Sequence, residues 1–163
     1  MNNPTTVEER KIQMMLEYYA NNKSIWSLLA YLSPEDFEHA QRAHPLLLIM
    51  LDCARWEATR LRRMRENKPD AEVPFEITSD WRKGDSDSEH GESKYLGVDL
   101  SCRKRAGMTE AQRRWYTMEG CYRAGFHRVG HYCDDKHLHV GVGDLINPVK
   151  FPVDRNWVRE CDA

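Results

Sequence analysis

All nine glycines of this 163-residue chain lie at or beyond Gly84, and this asymmetry constrains the fold more than any other feature. Glycine tolerates backbone conformations that other residues avoid, so its absence favours regular structure across the first half. Five of the seven histidines also lie in the second half, from His90 onward. We therefore expect a helical scaffold first, and then a region of loops and strands that carries the polar chemistry.

The size and charge of the chain predict an ordinary soluble protein. It has 24 basic and 26 acidic side chains and a net charge of -2, which argues against a dedicated nucleic-acid or membrane-surface binder. The longest apolar run, residues 46–51, is too short to insert across a membrane. Five cysteines without a C-x-x-C pair indicate reduced thiols. The N-terminus lacks a signal-peptide pattern, so we expect synthesis in the cytoplasm.

Residues 1–67 carry the signals of helices. Thr6 and Glu9 have the spacing of a capping box, and apolar residues follow at helical intervals. Residues 33–36, with the sequence S-P-E-D, predict a second helix start. The His-Pro pair at residues 44–45 interrupts this pattern and begins a longer helix.

A basic run decorates the longer helix, at Arg55, Arg60, Arg62, Arg63 and Arg65. Arginine suits a solvated helix end because its charge complements the helix dipole there. We expect these side chains to lie in solvent, and a patch that binds an anionic ligand is the alternative.

The second half alternates short strands with one more helix. Strands are predicted at residues 73–78, 96–100, 129–132 and 138–142. A capping box at Thr109 begins a helix that Gly125 ends. The polar turn 133–136 joins the last two strands into a hairpin. This order predicts an α+β fold with N-terminal helices and a small antiparallel sheet.

Two histidines and an aspartate of the second half have the chemistry of a metal site. His137 and His139 are two residues apart in a strand, so they share one face of the sheet. His90 lies in a glycine-flanked loop, and Asp99 lies in a short strand. Two imidazoles and one carboxylate are a usual ligand set for a catalytic zinc ion that keeps a fourth position for water. From spacing alone, each residue can equally be an ordinary core, turn or surface residue.

Three segments, in order along the chain, resemble the family of zinc D-Ala-D-Ala carboxypeptidases and L-alanyl-D-glutamate endopeptidases. Residues 75–82, F-E-I-T-S-D-W-R, are similar to its I-T-S-x-[YW]-R strand. Residues 88–100 resemble its S-x-H-x-x-G-x-A-x-D motif. Residues 125–143 resemble its closing hairpin, G-F-x-x-x-G-x-Y followed by H-x-H-V-D-V-G. The resemblance, which covers about residues 45–145, implies the Hedgehog/DD-peptidase fold.

The resemblance also implies a domain division and a role for each matching residue. It gives a helical extension over residues 1–44 and a zinc peptidase-like domain over residues 45–163. Matched by position, the zinc ligands are His90, Asp99 and His139. His137 would act as general acid/base or stabilise the developing charge, and Arg82 would bind the substrate carbonyl or the anionic intermediate. Ser88 would help to hold the substrate or the loop of the site.

The chain departs from the family pattern at three points. The segment between His90 and Asp99 is slightly longer, which a loop absorbs at small cost. Gly141 replaces an Asp that the family often has, which puts one supporting contact in doubt. Lys136 stands where some members place an acidic base, so Asp135 is the alternative to His137 for proton transfer.

These matches predict a zinc-dependent peptidase that cleaves a peptide bond in bacterial peptidoglycan. Without a signal peptide, it would be made in the host cytoplasm and then released to the cell wall, as a phage endolysin is, or it would be carried in the virion. The alternative is a non-catalytic module on the same fold that binds zinc or a partner. Residues 1–44 would then dock a partner protein or form a dimer.

Overall fold

The computed structural model describes residues 5–85, 88–91, 94–132 and 136–152. Within these residues the helices are α1 (Val7–Tyr19), α2 (Pro45–Glu66), α3 (Glu110–Arg123) and α4 (Gly143–Ile146). The strands are β1 (Ile77–Ser79), β2 (Gly97–Ser101), β3 (Arg128–Tyr132) and β4 (His137–Gly141). They form one antiparallel sheet in the order β1-β2-β4-β3. The predicted α+β fold with a small antiparallel sheet is confirmed, and no described helix is long and apolar enough to cross a membrane.

The helix ends follow local signals. The Thr6 hydroxyl accepts the N–H of Glu9 at 3.1 Å, and the Glu9 carboxylate accepts the N–H of Thr6 at 3.2 Å. Thr109 and Gln112 make the same reciprocal pair at the start of α3. Helix α2 begins at its proline and ends at Asn67, whose φ of 51° is left-handed. These bonds join residues a few positions apart, which is why the sequence predicts them correctly.

Two predicted elements are shorter than expected. The helix start at residues 33–36 gives a single 3₁₀ turn, because Phe37 has extended backbone and turns its ring into the core. The strand expected over residues 73–78 pairs only at Ile77–Ser79. Pro74, which precedes it, has no N–H to donate to a neighbouring strand. The apolar alternation there predicts burial correctly but overestimates sheet pairing.

The two faces of the sheet have different surroundings. Val98 and Leu100 of β2 and Val140 of β4 belong to the hydrophobic core, together with the apolar residues of α2. Because side chains alternate along a strand, the residues between them point to the other face. Asp99 and His139 therefore share that second face, and the β2–β4 register places them directly opposite each other.

Residues 5–44 contribute to the same core as the rest of the chain. Met14 and Leu32 are buried in the cluster that includes the apolar face of α2. Arg10 of α1 forms an ion pair of 2.6 Å with Asp52, which is buried in α2. The division between residues 44 and 45 stays a prediction about the units of the sequence, but the two parts pack together.

The arginines of α2 correct one expectation. Arg62 is 5% exposed and donates to the backbone carbonyls of Glu72, at 2.7 Å, and Ala106, at 2.9 Å. Arg63 donates to the carbonyl of Ala71 at 2.8 Å. The prediction of a solvated helix end is wrong for Arg62, because its guanidinium satisfies carbonyls of two loops that pack against α2.

Candidate metal centre

The three predicted ligands meet on the face of the sheet that lies away from α2. Asp99 and His139 come from the paired strands β2 and β4. His90 comes from the preceding loop, and two backbone hydrogen bonds hold this loop in place. The N–H of Arg82 donates to the carbonyl of His90 at 3.1 Å, and the N–H of Leu96 donates to the carbonyl of Glu89 at 2.8 Å. All three ligand side chains are buried.

Their donor atoms form a small triangle. His90 Nε2 lies 3.1 Å from His139 Nδ1 and 3.4 Å from Asp99 Oδ1, and His139 Nδ1 lies 3.0 Å from Asp99 Oδ1. Nitrogen and oxygen ligands of a tetrahedral zinc ion lie about 2.0–2.2 Å from the metal, and hence roughly 3.3–3.6 Å from one another. Two of the three distances are slightly shorter than this range, so a small outward movement would place the three atoms as one face of a tetrahedral site.

The other nitrogen of each imidazole has its own acceptor. His90 Nδ1 bonds to the backbone carbonyl of Asp80, and His139 Nε2 bonds to the Glu89 carboxylate at 2.8 Å. A ring nitrogen that donates its proton to an outer acceptor leaves the opposite nitrogen with a lone pair. The lone pairs of both rings then point toward the Asp99 oxygen. A cation placed among these three atoms would be bound by all of them.

A proton competes with a metal ion for this position. Burial lowers the pKa of His139, but hydrogen bonds to Asp99 and Glu89 outweigh burial and raise the pKa to about 9. Burial raises the pKa of Asp99, but hydrogen bonds to His139 and His90 outweigh it and hold that pKa well below its ordinary value. Asp99 is therefore ionised, and a metal ion at His139 Nδ1 would displace a proton.

Arg82 lies at the rim of the centre. Its guanidinium donates to Asp99 Oδ2 at 2.7 Å, and its Nε donates to the Ser79 hydroxyl at 3.1 Å. It thus binds the carboxylate oxygen opposite the one that faces the histidines. The Arg82 side chain is half exposed, so part of it faces solvent. The predicted contact with substrate stays a prediction.

Ser88 holds the loop that carries His90. Its hydroxyl donates to Asp85 Oδ2 at 2.6 Å and accepts the N–H of His90 at 3.2 Å. These two bonds fix the turn immediately before the ligand. A further contact of Ser88 with substrate stays a prediction.

His137 lies on the same strand and face as His139, two residues away. Its ring stacks on Tyr132 of β3, with centroids 4.5 Å apart and planes inclined by 18°. The stacking holds the ring at the half-buried end of strand β4. Asp135, the alternative base, lies outside the described residues. Lys136 pairs with Glu110 of α3 at 3.1 Å.

Sequence reasoning missed two groups that orient the ligands. Glu89 stands at an unspecified position of the S-x-H motif, so nothing in the pattern marked it. Asp80 supports His90 through its carbonyl, and its buried carboxylate accepts the backbone N–H of His39 at 2.7 Å and pairs with the His39 ring at 2.9 Å. His39, which belongs to the N-terminal segment, thereby anchors the loop of the candidate metal centre.

Glu38, His39 and Asp80 form a second group that has metal-binding residue types. The Asp80 carboxylate already receives three hydrogen bonds, from the N–H and the ring of His39 and from the N–H of Trp81. These bonds account for the cluster as a loop anchor. Among the described residues, His90, Asp99 and His139 are therefore the group that could bind a metal ion at this site.

Comparisons of the chain with protein-family models, with curated proteins and with solved structures give no match. The family resemblance therefore rests on the sequence motifs alone. The convergence of the three ligand atoms is a separate observation, because it comes from the geometry of the fold.

Proposed function

We propose that this protein is a zinc-dependent peptidase with the Hedgehog/DD-peptidase fold, and that it cleaves a peptide bond in bacterial peptidoglycan. The observation that carries the proposal is the convergence of His90 Nε2, His139 Nδ1 and Asp99 Oδ1 within 3.4 Å of one another. The sequence motifs supply the substrate class, and the geometry supports the metal.

The donor set fits zinc. Two neutral imidazoles and one carboxylate are the three protein ligands of many catalytic zinc sites. Each imidazole is oriented by an outer acceptor, as metal-ligating histidines are. A zinc ion held here supplies Lewis acidity and a bound water with a pKa near 7.

The residues around the centre divide the remaining chemistry. Arg82, half exposed and held by Asp99, binds the carbonyl oxygen of the substrate and stabilises the negative charge that develops on it. His137 lies on the same face at the half-exposed end of the strand and transfers a proton to the leaving amine. One oxygen of the Asp99 carboxylate, Oδ1, would bind the metal ion. The other oxygen, Oδ2, accepts a hydrogen bond from Arg82 and orients it.

The resemblance supplies the substrate class, which is the stem or cross-bridge peptides of the wall. We propose that the protein acts in phage lysis, made in the host cytoplasm before its release to the wall, or carried by the virion.

The test combines metal analysis with a wall-digestion assay. Purified protein is analysed for zinc by mass spectrometry and incubated with peptidoglycan from several wall types. We expect one zinc ion per chain and release of soluble peptides, whose masses identify the bond that is cut. His137→Ala should retain zinc and lose most of the peptide release. A protein that binds zinc but releases nothing from any wall type would instead be the non-catalytic module.

His131→Ala is the matched control. His131 lies in the same hairpin but pairs opposite Leu138, so its side chain belongs to the opposite face of the sheet from His137. The control should retain both zinc and peptide release. Loss of release in both variants would show a general effect of hairpin changes and remove the assignment of His137.

A further inference from the structure

We infer that Glu89 is a positioning residue of the metal centre: its buried carboxylate holds His139 in the tautomer and orientation that bind a metal ion. This inference rests on the proposed metal centre. It assigns a function to a residue that the sequence motifs leave unspecified.

The contacts of Glu89 are those of a dedicated support. Its side chain is buried, and one oxygen bonds to His139 Nε2 at 2.8 Å. The other oxygen accepts the N–H of Gly143 at 2.6 Å. Arg128 Nε lies 3.2 Å from the oxygen that bonds to His139, and its positive charge balances the Glu89 carboxylate. A buried carboxylate is costly unless it is paired and hydrogen-bonded, and both requirements are met here.

The surrounding glycines create the space for this carboxylate. A Cβ atom on Gly141 or on Gly143 would overlap the carboxyl group of Glu89. A Cβ atom on Gly97 would lie 2.8 Å from His139 Cε1 and 3.0 Å from the Cβ of Glu89. Gly97 and the neighbouring pair Gly141 and Gly143 therefore leave one pocket, which is filled by the Glu89 carboxylate and the His139 ring.

The two ligating histidines differ in what supports them. His90 bonds to a backbone carbonyl, which no substitution at Asp80 removes directly. His139 depends on a side chain, and a carboxylate also makes the imidazole a stronger base and ligand. The metal affinity of the centre should therefore respond to a change at position 89.

The first experiment measures zinc affinity by competition with a chromophoric chelator, using the full chain. Glu89→Gln keeps the shape of the side chain and removes its charge. We expect zinc binding to weaken about 10–100-fold, the range for loss of a group that orients a ligand. Glu110→Gln is the matched control, because Glu110 is an ion-paired glutamate of α3 that does not touch the ligands. The control should bind zinc as the wild type does.

The second experiment moves the carboxylate rather than removing it. A side chain on Gly141 would occupy the space of the Glu89 carboxyl group, and Gly141 has no left-handed backbone that would oppose substitution. Glu89→Ala should weaken zinc binding, and Glu89→Ala combined with Gly141→Asp should recover at least about tenfold of the loss. Gly141→Asp alone should disturb the site, because two carboxylates then compete for one pocket.

The outcomes separate this inference from the proposed function. If the wild type binds no zinc, the proposed function fails. If the wild type binds zinc and a folded Glu89→Gln variant binds it equally tightly, only the role of Glu89 is overturned. If Glu89→Gln does not fold, the relocation pair decides. Recovery of zinc affinity in the double variant supports the role of Glu89 in positioning His139. If the double variant binds zinc no more tightly than Glu89→Ala, that role is overturned. The visible spectrum of bound Co²⁺ should show the same ligand set in the wild type and in the double variant.

Discussion

His139 and His90 reach the same point from two different kinds of structure. His139 is delivered by a strand, and its position follows from the register of β4 against β2. His90 is delivered by a loop, and its position depends on Asp80, which the N-terminal residue His39 anchors. The candidate ligand on the strand is therefore placed by the sheet, whereas the candidate ligand on the loop is placed by contacts with distant parts of the chain.

The largest expected effect is the removal of a ligand from either kind of structure. His139→Ala and His90→Ala should each weaken zinc binding by about three orders of magnitude, roughly a third of the binding free energy of a protein zinc site. Zinc affinity by chelator competition checks this, with His131→Ala as the control. If either variant retains wild-type affinity, that residue is not a ligand.

The pH dependence of metal binding tests whether a proton on His139, the candidate ligand of strand β4, competes with the metal ion. Because the pKa of His139 is raised to about 9, a proton occupies Nδ1 at lower pH and opposes the metal. Zinc affinity should fall about tenfold per pH unit below about pH 9. Calorimetric titration in buffers of different ionisation enthalpy should show proton release on binding. An affinity that is flat between pH 7 and about pH 9 would contradict this.

The raised pKa of His139 opposes zinc binding, but it stabilises the folded protein when zinc is absent. The folded pKa of His139 lies above its ordinary value of 6.5, so the protonated ring stabilises the metal-free fold. This contribution is fully present below pH 6.5 and is lost as the pH rises to about 9. Urea unfolding of the metal-free protein across this range measures it.

Two glycine substitutions distinguish an effect on zinc affinity from an effect on the stability of the fold. In Gly97→Ala the new methyl group would lie 2.8 Å from the His139 ring and displace it, so zinc affinity should fall by at least about tenfold. In Gly120→Ala the methyl group would lie 2.5 Å from the Ala54 carbonyl, where α3 meets α2. That change should cost about 1–3 kcal/mol of stability and leave zinc affinity unchanged. Thermal unfolding and chelator competition, made on both variants, check the separation.

The smallest effect concerns the loop ligand. His39→Ala removes one partner of the buried Asp80 carboxylate and should cost about 1–2 kcal/mol of stability. Zinc affinity should fall by several-fold to about tenfold, because the carbonyl that orients His90 becomes less fixed. Arg10→Ala is the control, since it also removes a partner of a buried aspartate, Asp52, but far from this loop. Equal zinc affinity in His39→Ala and the wild type would remove His39 from the support of the site.

Local chemistry explains which features the sequence predicts. The capping boxes at Thr6 and Thr109 and the helix end at Asn67 involve residues within one or two turns. Alternation along β2 and β4 is also local, and it places Asp99 and His139 on a polar face. The α+β fold and the residue types of the metal centre are therefore predictable from the chain alone.

The supporting contacts are not predictable in this way. His39 and Asp80 are 41 positions apart, and Glu89 and His139 are 50 positions apart. No periodicity or motif links such pairs, because they depend on how the elements pack. The expectation for Arg62 failed for the same reason, since its partners are carbonyls of loops that only the folded chain brings to it.

By itself, the sequence determined where the long helices α1, α2 and α3 begin, which strands alternate, and which residue types can bind a metal. The concentration of glycine in the second half also had a physical cause, since Gly97 and Gly141 leave room for the ring and the carboxylate of the site. Only the tertiary structure decided how the ligands are oriented, by a backbone carbonyl for His90 and by Glu89 for His139. The reason is range: helix caps and strand alternation are interactions between neighbours in sequence, whereas the orientation of a ligand depends on groups that meet only when the chain is folded.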